Sequence, residues 1–372
     1  SMLTNDEPEH KRLRSAVQPG FGRRRLSRWI PMIVERTDAT TDRLLANAEP
    51  DAVVDFEPLL RSIALEVVLG ALFGAQFASR AAEIGELMQS GHDFVARPTP
   101  PHRLPFGLQQ RVRADRAVLD TIIDAEIAQR REDPAGDPFD VLETLVAGGE
   151  LTDGEIRDQV VTLIGAGFDT TAAALAWTLW RSTLEPGLWQ RLGDESARVF
   201  GPIGGTPRSP DEHTLAELGL ADRVMRETLR LHPPGALTPR EAAVDVEIGG
   251  FLIPATTIVV WSAYFAGRDP STWADPLRFD PDRFLDPSDE QQTAMRAAWV
   301  PFGHGGRNCI GFALAQMELT LIVARFAQRL VLDPITSSVP QPVGVAVNQP
   351  DGGVPMHTRA RSTSHEQHVP AT

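Results

Sequence analysis

The sequence predicts a mainly helical protein of the α+β class, and three observations carry that expectation. Apolar residues recur at helical spacing over long stretches, the longest running from Thr152 to Leu184. Strand-like runs are short and come late: Val244 to Ile253 alternates around a Gly249-Gly250 turn, and Thr256 to Trp261 is β-branched. Prolines gather between these segments, as in the four-proline stretch Ala96 to Phe106 and the five-proline stretch Asp269 to Pro301.

In chain order, Glu57 to Phe73 carries a helical stripe of Leu59, Leu60, Ile63, Leu65, Val68, Leu69 and Leu72. Ala96 to Phe106 must be a loop, and Gln109 to Arg131 resumes a long amphipathic helix that ends in the break Pro134 to Pro138. The long central helix has Thr152 as N-cap with Glu155 at the capping-box position, and stops at Glu185-Pro186-Gly187. A loop rich in Gly, Pro and Ser, Gly201 to Pro210, precedes a helix over Leu215 to Leu231, which His232-Pro233-Pro234 ends. The stretch Asp269 to Pro301 has little periodicity and reads as an irregular, ordered meander.

Composition narrows the function. The chain has 372 residues, 42% of them apolar, which suffices for a large core. A net charge of −14 argues against a nucleic-acid partner and against a polybasic membrane patch. No uninterrupted apolar run of membrane-spanning length stands out, so no membrane anchor is expected. Lys11 is the only lysine beside many arginines, a bias of GC-rich bacterial genomes. No composition shift marks a second unit, so one domain over residues 1–372 is expected, with the polar stretch 359–372 as a flexible tail.

Cys309 is the only cysteine, in Phe302-Gly303-His304-Gly305-Gly306-Arg307-Asn308-Cys309-Ile310-Gly311. A lone thiol cannot form an internal disulfide or a multi-cysteine metal site; it can be a buried spectator, a nucleophile or a single axial ligand. The surroundings favour the ligand. Gly303, Gly305 and Gly306 before Arg307 describe a tight turn where backbone approaches something closely. Phe312 to Leu330 follows as an apolar helix, so the thiol lies near a helix N-terminus, whose N–H groups, with Arg307, should stabilise a thiolate. A reduced cysteine ligand suits a cytoplasmic location.

This run resembles the haem-binding loop of cytochromes P450, in which Phe302, Gly305, Arg307, Cys309 and Gly311 match the family pattern. The resemblance implies haem b held between the long central helix and the cysteine loop, with Cys309 as the iron ligand. A thiolate ligand pushes electron density toward iron and favours O–O cleavage.

Further motifs follow in family order. Glu227-Thr228-Leu229-Arg230 alone would be an ordinary helical ion pair. Followed by Leu231-His232-Pro233-Pro234 and by Asp280-Pro281-Asp282-Arg283-Phe284, it resembles the family's Glu-x-x-Arg helix and meander. The resemblance implies that Glu227, Arg230 and Arg283 form a buried structural network holding the cysteine loop. Ala166-Gly167-Phe168-Asp169-Thr170-Thr171 interrupts the apolar run of the central helix, where the bland alternative is threonine hydroxyls bonding back to the preceding turn. It matches the family's oxygen-activation motif. By resemblance Gly167 lets the helix pass close to the haem, Thr170 steadies the oxygen being activated, and Asp169 connects to a proton supply.

Haem propionates need cations. Arg307, Arg240 in Pro239-Arg240-Glu241-Ala242, and His10 with Arg14 at the family's His-x-x-x-Arg position are the candidates. Gly235 to Thr238, Phe168 and the region Val347 to Val354 are candidate substrate contacts, and Ala96 to Phe106 a candidate cover for the entrance. The activity implied is monooxygenation of a hydrophobic small molecule with O₂. Electrons would come from an NAD(P)H-dependent reductase through a separate ferredoxin or flavodoxin, for which Arg12, Arg23, Arg24 and Arg25 offer a basic docking face. Family members usually carry several dozen residues ahead of the His-x-x-x-Arg helix, and this chain opens almost on it. The family's usual N-terminal portion is therefore expected to be lacking. A haem-binding but catalytically impaired form is the alternative this raises. A peroxide-driven peroxygenase ranks lower, because Asp169 and Thr170 are both present.

Overall fold

The computed structural model describes residues 1–47, 49, 52–96, 106–134, 140–205, 208–344 and 346–361. Helices α1 (Glu9–Val17) and α2 (Arg23–Asn47) open the chain and flank a 3₁₀ turn at Gln18–Phe21. A short strand, β1 (Val53–Asp55), leads into α3 (Glu57–Phe73), α4 (Ala75–Ser79), α5 (Ala81–Ala96) and α6 (Phe106–Glu132). Then come α7 (Val141–Gly148), α8 (Asp153–Leu184), α9 (Leu188–Phe200), α10 (Thr214–Glu217) and α11 (Gly219–Leu231).

The central helix α8 is the axis of the molecule. Thr152 and Glu155 close its capping box, and Gly187 leaves it at φ 73°, the left-handed conformation glycine supplies without strain. Apolar side chains cover most of its circumference, including Leu163, Ile164, Leu175, Trp177 and Leu179, so it must be surrounded. It packs against α3, α6 and α11. By length and composition it could cross a membrane, which the sequence reading did not anticipate. However, 61% of its apolar window is buried inside the protein, the pattern of a core helix.

The strands are small and antiparallel. Strands β2 (Leu237–Glu241), β3 (Val246–Ile248), β4 (Phe251–Ile253) and β5 (Ile258–Ser262) follow α11, β2 pairing with β5 and β3 with β4. Gly249 and Gly250 turn the β3–β4 hairpin at φ 59° and 82°. Helices α12 (Ala263–Ala266), α13 (Asp289–Ala298) and α14 (Phe312–Arg329) precede β6 (Leu330–Pro334), β7 (Pro342–Val343), β8 (Gln349–Pro350) and β9 (Pro355–Ala360). Strand β9 lies between β1 and β6, with Val54 opposite Met356 and Leu332 opposite Thr358.

Three expectations are corrected. The helix over Leu215 to Leu231 is two, α10 and α11, because Leu218 leaves helical geometry at φ −92° and ψ 48°. The meander holds a regular helix, α13, capped reciprocally by Ser288 and Gln291; none of its residues is buried, so it has no apolar stripe to read. The tail begins later than Arg359: Arg359 and Ala360 complete β9, and the Arg361 N–H donates to Arg329 O at 2.8 Å. The remainder, 362–372, lies outside the described residues, as do 97–105 of the expected entrance cover and 135–138 of the Pro134 to Pro138 break.

Candidate active site

The cysteine loop hangs between α13 and α14. Gly303 and Gly305 take φ 70° and 72°, so both need the glycine backbone. Residues Gly305–Arg307 make one 3₁₀ turn, after which the Cys309 N–H donates to Phe302 O at 2.8 Å and closes the loop. Gly311 precedes α14, and a Cβ there would stand 3.9 Å from the Cys309 sulfur. Phe302 packs edge-on against Phe312 at 4.8 Å between ring centroids, which fastens the loop to the helix it leads into.

Cys309 itself is exposed. Protein nevertheless crowds the thiol, and the resulting desolvation pushes its pKa up, opposed by the Gly311 N–H and by Arg14. The exposure is that of the residue as a whole, while the crowding is that around its sulfur. Of the expected stabilisers of a thiolate, the helix end acts through the Gly311 N–H, and the cation is Arg14 rather than Arg307. Arg307 turns away, donating to Asn5 O at 2.7 Å and pairing with Asp6 at 3.3 Å. A bound metal ion would deprotonate such a thiol outright.

Arg14 is also placed differently. It donates to the Asn308 backbone oxygen and to Asn308 Oδ1, both at 2.8 Å, so α1 grips the residue before Cys309. His10 is buried, its Nδ1 2.7 Å from Glu7 Oε1. The bond from His10 holds the Glu7 carboxyl below its usual range. Arg240 donates only to Pro239 O and has no carboxylate partner among the described residues. With Arg307 and His304 it lines a cleft of about 360 Å³ beside the loop. One free cysteine, beside a cleft lined by a guanidinium with no carboxylate partner among the described residues, is a donor set that would suit a haem: sulfur for iron, a cation for a carboxylate.

Glu227, Arg230 and Arg283 meet as one ion cluster. The Arg230 guanidinium holds both Glu227 oxygens at 2.7 and 2.8 Å, and Arg283 Nε donates to Glu227 Oε1 at 2.9 Å. Glu227 and Arg230 are fully buried at their side chains. What the cluster grips is the meander rather than the cysteine loop. Arg230 donates to the oxygens of Gly267, Pro276 and Arg278, and Glu227 accepts from the Asp280 N–H. The connection onward runs through Trp299, whose Nε1–H donates to Arg226 O at 3.0 Å and whose ring lies 5.9 Å from Phe302.

On α8, Asp169 sits between two basic side chains: Arg61 of α3 at 2.8 Å from Oδ1 and His92 of α5 at 2.9 Å from Oδ2. Thr170 bonds back to Ala166 O at 2.8 Å, the helix-bending habit of threonine. A Cβ at Gly167 would come within 3.0 Å of Val68, so this glycine lets α8 pack closely on α3. Thr171 reaches Glu318 of α14 at 3.3 Å, a carboxyl whose complete burial pushes its pKa up to about 8. Arg61, His92 and Glu318 went unnoticed in the sequence. Each meets α8 from a distant part of the chain, and no local pattern announces such a meeting.

Of the candidate substrate contacts, Phe168 is buried in the core beneath the Arg61 guanidinium. The segment after α11 and the 347–354 region are knit together: the Asn348 N–H donates to Pro234 O at 2.9 Å, and Trp177 Nε1–H to Asn348 O at 3.2 Å. Of the four arginines of the expected docking face, the structure describes the contacts of two. Arg12 is committed to Glu9 and Glu155, and Arg25 to Thr144 and the Asp140 carbonyl. The side chains of Arg23 and Arg24 lie outside the described set.

Comparison with known proteins agrees with this arrangement. The cytochrome P450 family model matches residues 1–353. Cytochrome P450 139 of Mycobacterium tuberculosis is 33% identical over 341 residues, covering 89% of this chain and 77% of that protein. Cyclooctatin synthase of Streptomyces melanosporofaciens is 32% identical, covering 92% and 74%. Pentalenene oxygenase of Streptomyces avermitilis is likewise 32% identical, covering 90% and 74%. The solved structure of retinoic acid-bound cyanobacterial CYP120A1 superposes with a TM-score of 0.85 at 23% identity, over 97% of this chain and 81% of that one, which speaks for the fold. The chain belongs to the cytochrome P450 family. It is accordingly an oxidoreductase of the monooxygenase class, with a haem cofactor.

Proposed function

We propose that this chain holds haem b through Cys309 and oxidises a hydrophobic small molecule, with electrons delivered by a separate ferredoxin or flavodoxin and its NAD(P)H-dependent reductase. The observation that carries this reading is the exposed cysteine of a loop that is otherwise tied down on both sides. Haem b is supported by the cysteine count: one thiol cannot serve as axial ligand and also anchor a vinyl group covalently. One cysteine cannot both ligate the haem iron and hold an iron–sulfur cluster, which supports electrons arriving from outside these residues. A thiol that must stay reduced suits the cytoplasm.

When bound, the haem supplies the activation of dioxygen. The chain's own residues do the rest. Arg240, Arg307 and the remaining ring nitrogen of His10 are the propionate partners in this reading. Arg14 holds Asn308 and so fixes where the sulfur stands. Asp169 holds a proton for Thr170, and Thr170, anchored to Ala166 O, presents its oxygen at a fixed place on α8. Beyond it the helix continues through buried Ala172, Ala173 and Leu175, which offer no further proton-carrying group.

For the substrate, the relatives named pentalenene oxygenase and cyclooctat-9-en-7-ol 5-monooxygenase supply the first compounds to try. The test is product formation per NAD(P)H consumed, with a surrogate ferredoxin and reductase. Oxidised product in wild type, with lower yield and more peroxide in Asp169→Asn and Thr170→Ala, supports the reading. Equal yield in all three removes Asp169 and Thr170 from it.

A further inference from the structure

We propose that His92 loads Asp169 with protons from solvent, acting through that carboxylate rather than on the reacting atoms. The inference rests on the reading of Asp169 and Thr170 given above and adds the residue that feeds them.

The chemistry of its two partners assigns the roles around Asp169. Asp169 lies between Arg61 and His92, each within 2.9 Å of a different carboxylate oxygen. A guanidinium does not release its proton under any working condition, so Arg61 can only hold the carboxylate. An imidazole changes charge near neutral pH, and both of its nitrogens can carry hydrogen. Both partners are more exposed than the carboxylate, the His92 side chain at 21% and that of Arg61 at 22% against 12% for Asp169, so their chemistry and not their exposure separates them. His92 therefore stands between solvent and a carboxylate that the protein mostly covers. Thr170 follows Asp169 directly in the chain, on the next position of α8.

Charged groups on α5 and on the helices packed against it have partners of their own. Asp93, on the same helix, is engaged by Gln89. Arg116 and Arg130 of α6, which packs on α5, are committed to Asp120, Asp158, Glu126 and Asp140. From α3 only Arg61 is seen at this carboxylate, and it reaches the opposite oxygen.

The step balances without any redox partner. The Nδ1–H bond of the imidazolium breaks, its electron pair stays on Nδ1, and an O–H bond forms at Asp169 Oδ2. The ring is left neutral with its hydrogen on Nε2, and reloads by turning Nδ1 outward to solvent. A competing route exists: a polar cavity of about 150 Å³ lined by Glu57, Arg61, Asp169 and Asp351 also reaches this carboxylate. Water in that cavity could carry protons without His92.

The test uses the holoenzyme and the variants His92→Gln, Glu57→Gln and Asp169→Asn. The first readout needs no turnover. In the reduced, carbon monoxide-bound protein, which is diamagnetic, nitrogen-edited proton NMR should show a slowly exchanging imidazole N–H that vanishes in both His92→Gln and Asp169→Asn. The second readout is coupled turnover against pH. Wild type should show a limb of falling coupling as pH rises through neutrality, and His92→Gln should lose that limb and raise the peroxide fraction severalfold, with a larger solvent deuterium isotope effect. Glu57→Gln should behave as wild type. If His92→Gln keeps the wild-type pH profile and peroxide fraction while Asp169→Asn uncouples, the inference is wrong and the Asp169 reading stands. If Glu57→Gln produces the losses instead, protons come through the cavity and His92 is excluded. If Asp169→Asn itself changes nothing, both readings fall.

Discussion

Arg14 and Asn308, 294 positions apart, are joined by two hydrogen bonds of 2.8 Å, one to the backbone oxygen and one to the side chain of Asn308. The contact makes α1 a clamp on the residue that precedes the thiol. It also gives a cation placed for carboxylate binding a second occupation, in the protein's own loop.

Removing the clamp should loosen the haem without unfolding the chain. Arg14→Ala loses two bonds from a charged donor at a partly exposed site, worth about 1–2 kcal/mol together. Haem transfer to an excess of a haem-scavenging globin should then quicken roughly tenfold, at 1.4 kcal/mol per decade, with far-ultraviolet circular dichroism unchanged. An unchanged transfer rate would mean that Phe302 and Gly311 hold the loop by themselves.

The buried ion cluster should be far less forgiving. Glu227→Ala leaves Arg230 unpaired where its side chain is fully buried, at a cost of roughly 3–5 kcal/mol. Gly267→Ala attacks the same place by volume: its Cβ would stand 2.1 Å from the Arg230 backbone oxygen, a distance no rotamer relieves. Thermal unfolding should show both variants strongly destabilised, whereas Arg191→Ala, which pairs with Asp282 at the surface at 3.3 Å, should shift the midpoint little.

Glu318 should make stability fall as pH rises. In the folded protein its carboxyl keeps a proton up to about pH 8, while in the unfolded chain it releases it near 4.5. The unfolded state binds fewer protons between those values, so the contribution is fully present below about pH 4.5, is lost progressively toward pH 8 and is level above it. Glu318→Gln keeps a hydrogen-bonding partner for Thr171 and cannot ionise. Its unfolding free energy should therefore lack this slope, exceeding wild type at pH 8 by a few kcal/mol on the order expected for a buried acid. Parallel pH profiles for the two proteins would show that Glu318 is solvated in a way its burial does not suggest.

What the sequence made legible is what depends on near neighbours. The Thr152–Glu155 capping box, the stripe of α3 and the glycine-dictated turns of the cysteine loop all follow from residues a few positions apart. Helix α13 was invisible because none of its residues is fully buried, and its few half-buried ones, Met295 and Ala298, make no long apolar period. The candidate site was half legible for the same reason. Cys309 and Asp169 stand in local motifs, but the partners that define their chemistry, Arg14, Arg61 and His92, come from elements far away in the chain. A residue singled out by its motif, such as Arg307, can face elsewhere, because the Asn5 carbonyl that receives it is 302 positions away and nothing nearby signals it.

The central claim is a bond from sulfur to iron, and one spectrum tests it. The purified, haem-loaded protein is reduced and exposed to carbon monoxide, beside Cys309→Ala prepared identically. The account predicts the strongly red-shifted Soret band of a thiolate-ligated haem in wild type and its absence in the variant. A wild-type band at the position of a histidine-ligated haem, or a red-shifted band that survives in Cys309→Ala, would contradict it.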